Sequence, residues 1–482
     1  MMIDDLISIV NKYPENIAYD NGDKKYSYSG LLSGVNDYVK FMSDNKLINK
    51  YRNERIGLIY NNSIDFVCVM LAAAYHNISI CVFEEKLPSK EIIKSCNISA
   101  VKLIMSCADI SAIGEEGKLT VVIAKNVIKS SYNESSIFDF KRLNEKNDEY
   151  ITQFSSGSTG MPKGVLVSQK SIQERYRKFS ASIGLNEKDS ILCVLTFTHA
   201  HGSDVLLWPS IFSGAKLVAP QDMHLTGRKI LKYLESKEIT VFSSLPLHYD
   251  LMNEVSSVYN LQNLRLCISA SAPLRDLTRN EFYKKCKINI KQAYGNTEFG
   301  VIAACPSKSD CGMSVGKIIQ GIDWMLNDEG ELLVKGEAAY SSYLLSNDNV
   351  KKYNKDKWFN THDVVDVDKH GLINIIDRTS SFINVSGNKV SPSEIEEEIK
   401  KINSINEACV FGCIQDDRDE AVIAYVITDD SKLSSDDIKI NLSEKLPNYK
   451  IPTQIEFVKS FPVSNLGKLL RTEIKESHNK TL

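Results

Sequence analysis

The segment ITQFSSGSTGMPKGVLVS, residues 151–168, carries the strongest signal in the chain. An apolar, strand-like lead-in runs into hydroxyl side chains and glycines, then into Lys163 and a second apolar run. Glycines let backbone N–H groups converge on an anion, hydroxyls add donors, and a lysine adds a point charge. The segment therefore predicts a loop that binds a polyphosphate. A flexible Gly/Ser linker would account for the glycines but not for the lysine or the apolar flanks.

The residue after Lys163 argues against one common kind of phosphate loop. Lys163 is followed by Gly164, whereas a Walker-type loop has Ser or Thr after its lysine. A kinase or another P-loop phosphotransferase is therefore disfavoured.

Short apolar runs on both sides of this loop alternate with helical patterns. We expect strands at 54–60, 78–84, 100–106, 190–196, 215–220, 240–246 and 264–271. Strand–helix–strand alternation implies right-handed crossovers and a largely parallel sheet. Near Gly330 the pattern changes, and the C-terminal residues form a compact α+β pattern with a helix that Ser391 or Ser393 caps. The predicted fold class is α/β: a large N-terminal domain, residues 1–379, with parallel or mixed sheets flanked by helices, plus a small C-terminal α+β domain, residues 380–482.

Composition narrows the class of protein. The chain has 482 residues, 43% of them apolar and 25% charged, which is ordinary for a folded soluble protein. The net charge of −3 and the lack of a dense basic block make nucleic acid an unexpected partner. The 11 scattered cysteines predict reduced thiols. The most apolar window, residues 66–83, is interrupted by His76 and Asn77, so we expect no membrane span. Because the N-terminus lacks the basic start of a signal peptide, we expect a cytoplasmic protein.

Four further segments carry chemistry. They are QAYGNTEFG (292–300), WFNTHDVV (358–365), IIDRTSSFINVSGNKVSPSEIEEEI (375–399) and FPVSNLGKLLR (461–471). Tyr294 can stack on a base, Thr297 can donate to a phosphate, and Glu298 offers a hard oxygen ligand for Mg²⁺. Asp363 has two acceptor oxygens that suit ribose hydroxyls.

These five segments, in this order, resemble the signatures of the adenylate-forming superfamily, which contains acyl- and aryl-CoA synthetases, luciferases and the adenylation domains of peptide synthetases. The resemblance covers the chain from about residue 10 to residue 471. It implies ATP, Mg²⁺ and a thiol acceptor, either CoA or the phosphopantetheine of a carrier protein. It also assigns catalysis to Lys468, Glu298 and Thr297, with Glu298 as the metal ligand. The nucleotide-binding residues that it implies are Ser155, Ser156, Gly157, Ser158, Thr159, Gly160, Lys163, Ser271, Ala272, Gln292, Ala293, Tyr294, Gly295, Asp363 and Arg378.

The reaction implied by the resemblance has two halves. A carboxylate displaces pyrophosphate from ATP to give acyl-AMP, and a thiol then takes the acyl group. Between the halves the small domain rotates, so that Lys468 leaves the site and the face that carries Gly387 approaches it. The chain departs from the family pattern at His362, where glycine is usual, at the hinge position Ser380, and at Asn384, where lysine is common.

The acid-binding residues are the least defined part of the prediction. His199 or His201 could contact the acyl group, although a plain turn histidine is an equal alternative. Peptide-synthetase domains usually have a Phe-Asp pair here, so a simple acid is favoured over an amino acid, while Asp204 could still hold an amino group. The sequence after Lys468 is short, which predicts a free-standing enzyme whose thiol comes from CoA or from a separate carrier protein. The alternatives are an amino-acid-activating ligase that loads a carrier protein and a nucleotide-binding module without catalysis.

Overall fold

A computed structural model of the chain describes all residues except 52–53, 126, 129–148, 157–161, 222–225, 347–348, 386–387, 417–418, 464–468 and 482. Backbone contacts divide the chain into a larger unit, residues 1–323 and 335–358, and a smaller unit, residues 324–334 and 359–482. The domain boundary that we place at residue 379 stays a prediction.

The helices are spread over both units. The α-helices are α1 Met2–Lys12, α2 Tyr28–Asp44, α3 Leu47–Tyr51, α4 Ile64–Tyr75, α5 Ser89–Ile98, α6 Ser111–Gly117, α7 Gln169–Ile183, α8 Trp208–Phe212, α9 Gly227–Ser236, α10 Pro246–Asn253, α11 Asp276–Cys286, α12 Pro392–Lys400, α13 Ser435–Ser443 and α14 Arg471–Thr481. A π-helix covers His201–Leu207, and 3₁₀ turns cover Thr379–Ser381 and Asn448–Lys450.

The strands follow the same chain order. They are β1 Ile17–Asp20, β2 Lys25–Ser27, β3 Arg55–Ile59, β4 Ser79–Phe83, β5 Leu103–Ser106, β6 Thr120–Ile123, β7 Ile151–Ser156, β8 Pro162–Val167, β9 Ser190–Leu192, β10 Lys216–Val218, β11 Val241–Ser244, β12 Leu266–Ser269, β13 Ile290–Asn296, β14 Gly300–Ala304, β15 Lys317–Ile318, β16 Asp323–Leu326, β17 Glu331–Lys335, β18 Ser342–Ser346, β19 Asn349–Lys352, β20 Phe359–Val367, β21 Ile373–Arg378, β22 Ile383–Val385, β23 Asn388–Val390, β24 Ile405–Asp416, β25 Asp419–Thr428 and β26 Gln454–Phe457.

Hydroxyl side chains set the starts of several helices. Ser168 caps α7 by accepting a hydrogen bond from the backbone N–H of Ser171, and Thr226 caps α9 by accepting one from that of Lys229. Such a side chain satisfies one of the backbone donors that the first turn of a helix leaves unpaired. Of the two serines expected to cap α12, Ser391 takes that position.

Two large sheets form the larger unit. Within the described residues, one has eight strands in the order β19-β18-β8-β7-β4-β3-β5-β6, and the other has nine in the order β15-β14-β13-β12-β11-β9-β10-β1-β2. The inner pairs are parallel, for example β3 with β4 and β11 with β12, while hairpins such as β7–β8 and β13–β14 are antiparallel. Helix α4 is buried along most of its length, in line with its nearly continuous apolar sequence.

The carboxyl ends of β11, β12 and β13 lie at one edge of the nine-stranded sheet, because these strands are parallel neighbours. Ser244 at the end of β11 is the register partner of Ser269, and Ser269 is in turn the partner of Gln292 in β13. Ligands of open α/β sheets bind outside the carboxyl ends of the strands. The fold therefore brings the turn after β12 and the 292–300 segment to one place.

The smaller unit contains a four-stranded sheet, β16-β17-β20-β21, and a three-stranded sheet, β24-β25-β26, that packs with α12 and α13. Arg471, at the start of α14, is ion-paired with the buried Glu396 and also donates to the carbonyl of Val410. Val463 and Leu469 form an antiparallel bridge. These contacts fix the chain on both sides of residues 464–468.

The predicted α/β fold class is confirmed, with each of the seven predicted strands in place as β3, β4, β5, β9, β10, β11 and β12. No helix in the described part of the chain is long and apolar enough to cross a membrane.

The expectation of reduced thiols is wrong for one pair of cysteines, because Cys305 and Cys311 form a disulfide. The short connection between these two residues brings their Cα atoms to 5.9 Å, which is within disulfide reach.

Candidate active site

Several predicted site residues lie outside the described part of the structure. They are Gly157, Ser158, Thr159, Gly160, Gly387 and Lys468, together with the side chains of Ser155 and Ser156. The backbones of Ser155 and Ser156 are described as the end of β7, where their register partners are Lys163 and Pro162 in β8. The predicted phosphate loop therefore connects two paired strands.

Lys163, Glu298 and Tyr343 form a cluster next to this hairpin. The ammonium nitrogen of Lys163 lies 3.6 Å from Oε1 of Glu298 and 3.3 Å from the centroid of the Tyr343 ring. The Tyr343 hydroxyl donates to the same Oε1 at 2.8 Å. Burial lowers the pKa of Lys163, while the Glu298 carboxylate opposes that shift. The cluster thus holds a cation, a carboxylate and an aromatic ring in direct contact.

Glu298 lies in the short turn between β13 and β14, whose end residues Asn296 and Gly300 are register partners. The turn is tight, since a Cβ on Gly295 would lie 2.0 Å from the carbonyl oxygen of Gly300. Only glycine fits at such a close backbone approach. The Gly-x-Thr-Glu spacing therefore follows from the geometry of this hairpin.

The Glu298 carboxylate fits a Mg²⁺ ion that takes its other ligands from phosphates and water. Lys163 and Tyr343 contact this carboxylate at Oε1. Mg²⁺ in nucleotide sites is commonly held by one or two carboxylates plus substrate oxygens. Within the described residues no group of three or more His, Cys, Asp or Glu side chains could hold a metal ion. The chemistry of the Glu298 carboxylate therefore suits a ligand of such an ion.

The other predicted nucleotide residues of the larger unit lie close by in the fold. Gln292 and Ala293 are buried in β13, Tyr294 is half-buried, as is the predicted catalytic residue Thr297, and Gly295 is exposed. The side chain of Gln292 donates to the carbonyl of Met313. Ser271 and Ala272 follow the neighbouring strand β12. A half-buried Tyr294 at the strand end suits a base-stacking role.

Arg175, which the sequence reasoning missed, joins several segments behind this site. Its guanidinium donates from Nη1 to Asp204 at 2.7 Å, from Nη2 to the carbonyl of Glu298 at 2.6 Å, and from Nε to the carbonyl of Ala338 at 2.9 Å. The side chains of Arg175 and Asp204 are only 2% and 5% exposed. A Cβ on Gly300 would lie 2.8 Å from the Arg175 side chain, so glycine is needed there as well.

This ion pair defines the role of Asp204. A free carboxylate at that position could hold the ammonium group of an amino acid, but Asp204 already has a buried cationic partner in Arg175. A substrate ammonium would have to compete with a desolvated guanidinium. The geometry therefore disfavours Asp204 as an amino-group ligand.

The two candidate acid-binding histidines have different surroundings. His199 is partly exposed, and its Nε2 lies 3.6 Å from the carboxylate of Glu84, whose pKa it lowers by hydrogen bonding. His201 begins the π-helix, is buried, and has each ring nitrogen 2.9 Å from a serine hydroxyl, those of Ser271 and Ser243. Burial lowers the pKa of His201 to about 3, so its ring is neutral. π-Helical turns are frequent at functional sites.

In the smaller unit the structure brings Asp363 and Arg378 together. They are register partners in β20 and β21, and Nε of Arg378 donates to Asp363 at 2.8 Å. Asp363 is buried and Arg378 is more than half exposed.

His362 has a φ of 59°, the left-handed conformation that favours glycine. This conformation explains why glycine is usual at this position in the family that the sequence resembles.

The family assignment follows from comparison with known proteins. A model described as "AMP-binding enzyme" matches residues 8–344, and one described as "AMP-binding enzyme C-terminal domain" matches residues 394–468. The chain belongs to this family of AMP-binding enzymes. The prediction of an adenylate-forming acid–thiol ligase is confirmed at the level of the family.

Similar proteins include named CoA ligases. A 4-coumarate-CoA ligase 1 from Narcissus pseudonarcissus is 25% identical over 455 residues, covering 87% of this chain and 83% of the relative. A 2-succinylbenzoate–CoA ligase from Listeria monocytogenes is 28% identical over 358 residues, covering 73% and 76%. The crystal structure of ATP-bound MatB from Rhodopseudomonas palustris matches with a TM-score of 0.87 at 20% identity over 99% of both chains, which shows a shared fold.

The Asp204→Asn substitution tests the structural role of the buried ion pair. It leaves the Arg175 guanidinium buried without a counter-charge, so we expect the free energy of unfolding to fall by about 3 kcal/mol, measured by urea denaturation. Glu337→Gln is the matched control, because Glu337 pairs at 2.8 Å with the exposed Lys170 and should lose less than about 1 kcal/mol. Unchanged stability in Asp204→Asn would contradict this account of the site.

Proposed function

We propose that the chain activates a carboxylic acid with ATP to form acyl-AMP, and then transfers the acyl group to the thiol of CoA. The observation that carries the proposal is the cluster of Lys163, Glu298 and Tyr343, which joins the phosphate-loop hairpin to the 292–300 segment. The first half-reaction requires a cation beside the polyphosphate and a carboxylate that suits Mg²⁺. Membership of the AMP-binding family supports the same reaction.

Each predicted nucleotide-binding residue would have its own task. The 155–163 loop would bind the phosphates, and the turn at Ser271 and Ala272 together with residues 292–295 would hold the adenine. Asp363 would accept hydrogen bonds from the ribose hydroxyls, and its contact with Arg378 keeps its carboxylate oriented. Bound at Glu298, Mg²⁺ would neutralise charge on the phosphate oxygens.

The chemistry of the first step is a displacement at the α-phosphorus. A carboxylate oxygen of the acid forms a bond to that phosphorus, and the bond to pyrophosphate breaks. Negative charge grows on the non-bridging oxygens, where the Lys468 ammonium and the Thr297 hydroxyl would donate. Lys163 would stay with the departing pyrophosphate. By comparison with charge-stabilising donors in other enzymes, Lys468 would contribute about 3–4 kcal/mol.

The second step gives the proposed acceptor. The thiol sulfur attacks the acyl carbon, the bond to AMP breaks, and a thioester and AMP are released. CoA is favoured because the named relatives are CoA ligases, whereas the phosphopantetheine of a separate carrier protein is the alternative. We propose that the small domain alternates between the two steps, with Ser380 at its hinge and Gly387 beside the thiol. A cytoplasmic location is part of the same proposal.

The acid is proposed to be a simple one rather than an amino acid. Asp204 is paired with Arg175, so its carboxylate does not offer a free negative charge to an amino group. His199 is accessible and would lie at the entrance for the acid. The alternative of a module without catalysis is not favoured, because Glu298 and Asp363 are both present and each contacts a basic side chain of its own unit.

The half-reaction is tested by carboxylate-dependent ATP–pyrophosphate exchange over a panel of fatty, aryl and amino acids. We expect exchange with at least one non-amino acid, and a fall of about 10²–10³-fold in Lys468→Ala with ATP binding retained. The control is Lys459→Ala, which removes an exposed lysine of the same unit and should leave exchange unchanged. Wild-type exchange with no acid, or full exchange in Lys468→Ala, would contradict the proposal.

Tyr343→Phe tests whether the cluster positions Glu298. The substitution keeps the ring under Lys163 but removes the hydroxyl that donates to the carboxylate, so we expect the KM for MgATP to rise about 5–10-fold. Tyr353→Phe is the matched control: the Tyr353 hydroxyl donates to the carbonyl of Lys357, and its ring stacks on Tyr340 at 4.7 Å. If both variants had the wild-type KM, Tyr343 would have no positioning role.

A further inference from the structure

The turn after β12 holds a serine in a conformation that suits glycine. Ser271 has a φ of 71°, in the left-handed region that side chains with a Cβ rarely adopt. Local strain of this kind persists where the surrounding structure or a function requires the residue. Glycine would adopt this backbone conformation with less strain, so we ask what the hydroxyl group of Ser271 contributes.

The hydroxyl of Ser271 ends a chain of hydrogen bonds that runs into the protein. Its Oγ lies 2.9 Å from Nδ1 of His201, and Nε2 of His201 lies 2.9 Å from Oγ of Ser243. Ser243 and His201 are 1% and 9% exposed, whereas Ser271 is exposed. This series of hydrogen bonds therefore begins at the buried hydroxyl of Ser243 on β11 and ends at the accessible hydroxyl of Ser271.

The number of protons available determines which group donates in each of these two hydrogen bonds. Burial keeps the His201 ring neutral, so one ring nitrogen donates and the other accepts. If Nε2–H donated to Ser243, the buried Ser243 proton would need an acceptor, and its hydroxyl has no other partner among the described residues. If Ser243 instead donates to Nε2, the Nδ1–H group donates to Ser271. That arrangement satisfies the buried groups and leaves the Ser271 proton available to a ligand.

The Ser271 side chain faces the part of the site proposed for the acid. Its partner His201 is the first residue of the π-helix, only two residues after His199. The backbone of Ser271 keeps its proposed place beside the adenine. With the acid beside the π-helix, the Ser271 hydroxyl, which contacts His201, would lie between the adenine and the acid.

We propose that Ser271 is a specificity-determining residue, whose hydroxyl donates a hydrogen bond to an acceptor atom on the acid substrate beyond its carboxylate. His201 and Ser243 are positioning residues that hold this hydroxyl in its donating orientation. The acid would carry a hydroxyl, ether, carbonyl or ring nitrogen rather than a purely hydrocarbon chain. This inference rests on the proposed function.

The test compares pairs of acids that differ by one acceptor: benzoate with salicylate, cinnamate with coumarate, and propanoate with lactate. Each acid is used in ATP–pyrophosphate exchange with the wild type, Ser271→Gly and Ser243→Ala. We expect the wild type to prefer the acceptor-bearing acid in at least one pair, and Ser271→Gly to reduce that preference about fivefold through the KM for the acid, with the KM for ATP unchanged. Ser243→Ala should reduce the same preference about twofold.

Stability supplies a second readout that a merely structural serine would not give. Glycine relieves the left-handed strain but removes the hydroxyl that accepts from His201, so the two effects offset and Ser271→Gly should leave Tm within about 2 °C of the wild type while the preference falls. Lys118→Gly is the matched control, since exposed Lys118 has a φ of 54° far from the site in sequence and should gain stability without changing the preference.

The outcomes separate this inference from the proposed function. No exchange with any acid would overturn the proposed function and this inference with it. Exchange with no preference within any pair, an unchanged preference in Ser271→Gly, or an effect on the KM for ATP instead of that for the acid would overturn the inference alone. A preference that falls in both serine variants and not in Lys118→Gly would support it.

Discussion

The buried guanidinium of Arg175 is the contact on which the candidate active site depends. It joins α7 to the π-helix through Asp204, to the β13–β14 turn through the carbonyl of Glu298, and to the segment before β18 through the carbonyl of Ala338. A charge buried this deeply is tolerated only when it is paired and its donors are satisfied. The position of the Glu298 carboxylate, and with it the contacts to Lys163 and Tyr343, therefore depends on the buried ion pair between Arg175 and Asp204.

Much of the fold could be predicted from local pattern. The short apolar runs at 54–60, 78–84 and 240–246 form parallel strands, as expected for short apolar segments that alternate with helical patterns. The disulfide between Cys305 and Cys311 could not be predicted from spacing, since it depends on how the chain turns after β14. The π-helix at residues 201–207 could not be predicted either, because nothing in its sequence, HGSDVLL, distinguishes a π-helix from an ordinary helix.

The site was predictable where its residues lie within one segment. Lys163 and Glu298 stand in recognisable motifs, but Tyr343 and Arg175 act through hydrogen-bond partners 29 to 163 residues away in sequence. Arg175 did leave a signal: it occupies the buried face of α7 with Ile172, Tyr176 and Phe179, where a charged side chain is unusual. The strained Ser271 left none, because only a backbone angle distinguishes it from an ordinary turn serine.

The central claim is that a carboxylate oxygen of the acid becomes bonded to the α-phosphorus of ATP. The most direct measurement uses an acid with both carboxylate oxygens labelled as ¹⁸O, CoA as acceptor, and mass spectrometry of the products. If acyl-AMP is the intermediate, the AMP released after thiol attack carries a single labelled oxygen and the pyrophosphate carries none. Unlabelled AMP, or label in pyrophosphate or inorganic phosphate, would contradict the account.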